Sequence, residues 1–187
     1  MTRPPDAAPI PRSVAVFGGG DAPPGTPLYE SARRIGRLVG SAGGTIVCGG
    51  YGGVMEGASR GARESGGRAI GVTVASFPGR TPNRWLTETR EEADLFDRTR
   101  RLMTLPSAFI ILAGRSGTLA EVALLWALRR ADQGPRRPIV LLGSAWPDLI
   151  ALLRDRDVLE PEVLSETAIA ANEEDAVARA LPGAPAP

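Results

Sequence analysis

The chain has 187 residues, of which 43% are hydrophobic and 23% charged, and its net charge is +1; this is typical of one globular domain and does not favour general nucleic-acid binding. It contains no His, which excludes Ser-His-Asp triads, Cys-His pairs and HExxH zinc sites. All 22 basic residues are Arg, which excludes a lysine Schiff base to pyridoxal phosphate and a Walker A lysine.

Short apolar runs alternate with amphipathic stretches between residues 13 and 181. The runs predict strands at 13–17, 45–48, 69–74, 108–112, 138–142 and 167–170. The amphipathic stretches predict helices at 27–41, 53–65, 91–105, 117–132 and 147–156, and a short last helix from Glu173 that is capped by Asn172. Strands without polar alternation, each followed by a helix, are typical of a parallel sheet covered on both faces. We therefore predict a single doubly wound, Rossmann-like α/β domain at 13–181.

The ends of the chain are rich in Pro and Ala, so 1–12 and 182–187 are predicted to be disordered tails. The first residues include no apolar signal-peptide core, and no apolar run approaches the roughly 18 residues of a membrane span. The single cysteine, Cys48, fits a reducing compartment. We expect a cytoplasmic protein that binds neither membranes nor nucleic acid.

Three glycine turns, at 18–20, 49–53 and 114–117, each follow a predicted strand. All three should lie at the carboxyl edge of the sheet, where open α/β sheets bind ligands. The first turn is not followed by the G-x-G-x-x-G pattern, and no acid ends the second strand, so an NAD-type fingerprint is absent. A plain tight turn explains 18–20 as well as a ligand contact does.

The second turn has four glycines in five positions, and its Gly49 and Gly50 are candidates for close backbone approach to a ligand. The alternative is a flexible surface loop. We favour the ligand contact because of the position at the sheet edge.

The third turn lies between an apolar strand and a helix, an arrangement that aims unpaired backbone N–H groups and the helix dipole at one point. We therefore predict a phosphate cradle there and a carboxylate, Glu121, just beyond it. Taken alone, Thr118 and Glu121 match a capping box, in which Glu121 satisfies only a backbone donor. The cradle residues are Gly114, Arg115, Ser116, Gly117 and Thr118.

Arg98 lies in a charged stretch of the helix predicted at 91–105. Leu95, Leu102 and Leu105 mark the buried side of that helix by their spacing, and Arg98 lies near it. A nearly buried Arg needs an anionic partner, so Arg98 is a further candidate site residue.

These motifs resemble the Lonely Guy (LOG) family of cytokinin-activating phosphoribohydrolases, formerly labelled lysine decarboxylases. The family's GGGxxGLMG pattern appears as Cys48-Gly-Gly-Tyr-Gly-Gly-Val-Met-Glu56, and its PGGxGTxxE pattern as Ala113-Gly-Arg-Ser-Gly-Thr-Leu-Ala-Glu121. The family's catalytic Arg precedes the aromatic of the following strand by eleven residues, and counting back from Phe109 gives Arg98.

The resemblance implies a homodimer that binds a nucleoside 5′-monophosphate and cleaves its N-glycosidic bond, releasing the base and ribose 5-phosphate. It implies that the glycine loop holds phosphate and that Arg98 and Glu121 act at the bond, with no metal and no cofactor. Such chemistry needs neither His nor Lys. The absence of Lys argues independently against a decarboxylase.

The sequence departs from the family pattern at Cys48 and Glu56, which replace outer glycines of the first motif, at Ala113, which replaces Pro, and at two further positions. Arg115 replaces a glycine: it is strained if that position needs a positive φ, and its side chain either occupies the phosphate site or adds a cation to it. Thr99 replaces the usual lysine after the catalytic Arg. The alternative functions are a nucleotide or molybdenum-cofactor carrier that does not hydrolyse its ligand and, less favoured, a nucleotide-sensing module.

Overall fold

A computed structural model describes residues 8–75, 77, 79–132 and 136–183. The strands are β1 (Ser13–Phe17), β2 (Thr45–Cys48), β3 (Arg68–Val74), β4 (Glu88–Glu92), β5 (Ala108–Ile111), β6 (Ile139–Leu142) and β7 (Thr167–Ala170). The helices are α1 (Pro27–Ser41), α2 (Val54–Glu64), α3 (Leu95–Thr104), α4 (Ser116–Arg130), α5 (Ala145–Asp155), α6 (Pro161–Ser165) and α7 (Glu173–Ala180).

The seven strands form one parallel sheet in the order β4-β3-β2-β1-β5-β6-β7. The order reverses between β1 and β5, so the chain winds outward in both directions from this central pair. The predicted doubly wound, Rossmann-like fold is confirmed. The reversal creates a crevice above the carboxyl ends of β1 and β5, and glycine turns follow both strands.

The central strands are buried along their whole length, as their unalternating apolar sequences predict. One hydrophobic cluster packs α1, α2 and α7 against the sheet. The other packs α3, α4, α5 and α6 against the opposite face. Helices α3 and α4 therefore lie on the same face, and each begins at the carboxyl edge of the sheet.

The prediction was wrong for the stretch before α3. Residues 88–92 form strand β4 at the edge of the sheet, and the helix predicted from residue 91 begins at Leu95. Strand β4 is polar because its side chains alternate between exposed and half-buried positions, so it lacks the apolar run of a central strand. Asp94 ends this segment, since its side chain accepts a hydrogen bond from the Asp97 N–H (2.8 Å) and caps α3. The short helix α6 was not predicted.

Most of the other helix boundaries differ from the predictions by one or two residues. The predicted cap of the last helix is confirmed, because Asn172 Oδ1 accepts from the Asp175 N–H at 2.9 Å. Of the two predicted tails, residues 1–7 and 184–187 lie outside the described residues. Just before β1, the Ile10 N–H donates to the Leu105 carbonyl at 2.9 Å. No described helix has the length and apolar character needed to cross a bilayer.

Candidate functional site

A cavity of about 620 Å³ lies above the carboxyl ends of the central strands, where all three glycine turns contribute to its wall. It brings together six of the nine residues that the sequence singled out, which are Gly49, Arg98, Arg115, Gly117, Thr118 and Glu121. Gly50, Gly114 and Ser116 lie beside it without lining it. Its wall also includes three residues that the sequence did not single out, Asp21, Arg80 and Tyr51. Phe77 packs against the Tyr51 ring behind the wall.

The floor of the cavity includes the N-terminus of α4. The helix begins at Ser116, and its first backbone hydrogen bond runs from the Leu119 N–H to the Arg115 carbonyl at 3.0 Å. The N–H groups of Ser116, Gly117 and Thr118 precede that bond, and the side chain of the N-cap residue accepts none of them. Three amides at a positive dipole end are thus available to an anion.

The capping-box interpretation of Glu121 is wrong. Because α4 begins two residues before Thr118, Glu121 lies in the second helical turn, away from the free N–H groups. Thr118 is buried and its Oγ1 packs against Gly114, where a Cβ would overlap it. The Glu121 carboxylate has no capping role and is left facing the cavity.

The environment of Glu121 favours its neutral form. Burial raises the pKa of this carboxyl from 4.5 to about 7, although the Arg98 charge acts in the opposite direction. A carboxyl with a pKa near 7 exchanges protons readily at neutral pH, which suits a group that accepts or donates a proton during a reaction.

Arg98 is held rigidly in the opposite wall. It is 9% exposed, its Nε donates to the Val72 carbonyl (2.9 Å), and its Nη2 donates to the Gly49 carbonyl (3.2 Å). The guanidinium lies over the rings of Tyr51 and Phe77, at 5.7 Å from each centroid. A Cβ on Gly49 would overlap Arg98 Nη2, so glycine is required there for space.

The anionic partner expected for Arg98 is not a carboxylate in direct contact. Among the described residues, its guanidinium forms no ion pair with an acid, and its side-chain hydrogen bonds go to backbone carbonyls. Two carbonyls and two aromatic faces solvate the charge instead, and burial lowers its pKa while Glu121 raises it. Leu95, predicted on the buried side of α3, is 49% exposed because it lies in the first turn, beyond the sheet edge.

The turn at 49–53 is tightly anchored. Asn83 donates to the Gly50 carbonyl from its backbone N (2.8 Å) and from Nδ2 (3.2 Å), and Nδ2 also donates to the Tyr51 carbonyl (3.0 Å). The Tyr51 hydroxyl donates to the Val74 carbonyl (3.2 Å) and accepts from the Val74 N–H (3.0 Å). These bonds fix the turn, and Gly50 adopts the positive φ of 83° that it requires.

Arg115 does not obstruct the cradle. Its φ of −105° is ordinary for any residue, so no backbone strain arises from replacing glycine. Its side chain is 84% exposed, and Nη2 contacts Asp21 Oδ2 at 2.9 Å. The guanidinium therefore lies at the mouth of the cavity and leaves the amides of α4 accessible.

The described residues include no cluster of three or more Cys, Asp or Glu side chains that could hold a metal ion. The available chemistry consists of the free amides of α4, three guanidinium groups and two carboxylates.

Comparisons with known proteins place this geometry in a family. The chain is 33% identical, over 126 residues, to a cytokinin riboside 5′-monophosphate phosphoribohydrolase from Rhodococcoides fascians; the alignment covers 65% of this chain and 64% of that relative, which is less than two thirds of its length.

Two solved structures share the fold. The molybdenum cofactor binding protein of Rippkaea orientalis is 24% identical, with a TM-score of 0.69 over 90% of this chain and 93% of that one. The molybdenum cofactor carrier protein of Chlamydomonas reinhardtii is 24% identical, with a TM-score of 0.65 over 92% and 95%. The sequence model of the SLOG cluster4 family matches residues 11–151. With two LOG-type motifs at one sheet edge and a family match over most of its length, the chain belongs to the LOG-like SLOG cluster4 family.

Proposed function

We propose that the protein is a phosphoribohydrolase that cleaves the N-glycosidic bond of a nucleoside 5′-monophosphate, such as AMP or a cytokinin riboside monophosphate. The observation that carries the proposal is that Arg98 and Glu121 line one cavity with the start of α4, whose first three amides have no acceptor among the residues that the structure describes. Those amides bind the 5′-phosphate, so the attached ribose lies in the space that both side chains face.

Cleavage develops positive charge on the ribose as the bond from C1′ to the base nitrogen breaks. The ionised Glu121 stabilises this charge and takes a proton from the water that forms the new bond to C1′. The electron pair of the broken bond leaves with the base, which takes up a proton from solvent while Glu121 returns to solvent the proton that it took from water. The products are the free base and ribose 5-phosphate, and no metal or cofactor enters the balance.

Arg98 positions the substrate. Its hydrogen bonds to carbonyls use Nε and Nη2, and within the described residues Nη1 has no such bond, so donors remain for the ligand. Because the guanidinium is fixed on both sides, it loses little conformational entropy on binding. Its charge also favours the ionised form of Glu121.

The phosphoribohydrolase from Rhodococcoides fascians supports this assignment. The absence of Lys opposes a pyridoxal-phosphate decarboxylase. The molybdenum cofactor proteins share the fold, so the main alternative remains a carrier that holds a phosphorylated ligand in the same cradle without cleaving it.

The decisive experiment incubates the protein with AMP and with N6-substituted AMP and measures the free base by chromatography. We expect release by the wild type, loss of at least a hundredfold in Glu121→Gln, and no change in the matched control Glu162→Gln, which alters an exposed glutamate on α6. Tight binding without release would overturn the hydrolase and leave the carrier.

The homodimer and the cytoplasmic location implied by the resemblance stay predictions. We infer that the dimer interface includes the three exposed apolar side chains of Leu95, Phe96 and Leu119. They lie in the first turns of α3 and α4, at the carboxyl edge on one face of the sheet. Exposed apolar groups on a shared face favour burial against a partner.

A further inference from the structure

The ion pair between Asp21 and Arg115 stands at the cavity mouth and is not used by the proposed reaction. The two residues come from the loops after β1 and β5, the strands that flank the switch in strand order. Their side chains are 61% and 84% exposed. An ion pair so open to water contributes little to stability, so it exchanges partners easily.

The pair is adjacent to the phosphate cradle. Arg115 is the N-cap residue of α4, next in sequence to the three free amides. The Asp21 carboxylate folds over Gly19, where a Cβ would lie 3.2 Å from Oδ1, and the Gly19 N–H bonds to the Ala113 carbonyl at 3.0 Å. A phosphoryl group bound to the amides of α4 therefore lies beside the Arg115 guanidinium and the Asp21 carboxylate. A second phosphoryl group, extending from the first toward solvent, would meet this ion pair.

We propose that the Asp21–Arg115 pair determines specificity by accepting one phosphoryl group and rejecting a second. The inference rests on the proposed function, since it assumes a nucleotide phosphate on α4. If Arg115 stays paired, its guanidinium is not available to a β-phosphoryl group. If Arg115 moves to that group, Asp21 is left unpaired beside a dianion. In neither arrangement does this pair give the second phosphoryl group a net attraction.

The two partners therefore have opposite effects on selectivity. Asp21→Asn releases Arg115 for the β-phosphoryl group and improves binding of the diphosphate relative to the monophosphate. Arg115→Ala exposes the Asp21 charge and disfavours the diphosphate further. A purely structural role of the pair would move the selectivity in one direction or leave it unchanged.

Calorimetric titration with AMP and ADP tests this, with Glu121→Gln present in every protein to prevent cleavage. The measured quantity is the ratio of the ADP to the AMP dissociation constant. We expect it to fall about three- to fivefold in Asp21→Asn and to rise by a similar factor in Arg115→Ala, which is the scale of exposed charge pairs. Both changes should shrink at high salt.

The control is Arg154→Ala, which breaks the similarly exposed Arg154–Asp155 pair on α5, away from the cavity, and should leave the ratio unchanged. If AMP binds but the two variants shift the ratio in the same direction, or not at all, the specificity proposal is wrong and the proposed function is unaffected. If AMP binds to none of the proteins, the proposed function fails, and this inference fails with it.

Discussion

Replacing Glu121 by Gln should stabilise the fold while it removes the proposed activity. The carboxyl has a pKa of about 7 in the folded protein, against 4.5 for an unperturbed Glu, because burial penalises its charge. Each pKa unit corresponds to about 1.4 kcal/mol, so ionised Glu121 lowers the free energy of unfolding by about 3 kcal/mol. Gln carries no charge at any pH and avoids this penalty.

The stability difference should depend on pH with a defined sign. Below pH 4.5 Glu121 is protonated in both states, and the two proteins should unfold alike. Between pH 4.5 and about 7 the unfolded chain has released a proton that the folded chain retains, so the stability of the wild type falls as the pH rises. Above about pH 7 the variant should exceed the wild type by the full amount.

Urea unfolding of both proteins across this pH range measures the difference directly, because contributions from all other titrating groups cancel between them. Glu162→Gln, on exposed α6, serves as the control and should show no such rise. A difference that is constant with pH, or a wild type more stable than Glu121→Gln at pH 8, would refute the burial of charge at this position.

Four further outcomes are expected. The hydrolysis rate of the wild type should rise with pH through about 7, as Glu121 ionises; a flat profile would contradict its proposed role. Gly49→Ala should reduce activity as strongly as Arg98→Ala, because the added Cβ displaces Arg98 Nη2. The same overpacking should lower the free energy of unfolding, measured in urea, by about 1–3 kcal/mol. Glu64→Gln should lower the free energy of unfolding by about 1 kcal/mol at neutral pH after screening, since hydrogen bonds from Arg residues hold the pKa of this half-buried carboxyl at about 2. The difference from the wild type should vanish as the pH falls from 4.5 to about 2. A difference that persists at pH 2 would argue against these ion pairs. Phe96→Ser should shift a dimer toward monomer in sedimentation velocity, and an unchanged sedimentation coefficient would remove Phe96 from the interface.

The central sheet could be predicted because its inner strands are apolar runs, and three of them, at 13–17, 45–48 and 108–111, are followed by glycine turns. Strand β4 could not, because an edge strand needs no apolar run, and Thr89, Arg90 and the neighbouring glutamates resemble the start of a polar helix. The sequence therefore located the edge of the sheet that carries the cavity and misjudged where the sheet ends at β4.

The site was predictable where backbone features define it and less so where distant side chains meet. Glycine spacing located the turn at 114–117, but the match of Thr118 and Glu121 to a capping box obscured the true start of α4. The solvation of Arg98 by the Val72 and Gly49 carbonyls depends on chain crossings that local sequence does not record. The Asp21 contact with Arg115 joins two loops that are far apart in the sequence.

The hydrogen bonds of Arg98 have a consequence for inferring activity across related proteins. Through them, this arginine connects the first turn of α3 to β3 and to the turn after β2, so the folded state depends on it whether or not catalysis occurs. Glu121 has the opposite effect, because its buried charge lowers the stability of the folded state. A family member that binds its ligand without hydrolysing it has reason to retain the arginine and to replace the glutamate. In homologues, the identity of the residue at position 121 is therefore the more informative indicator of an enzyme.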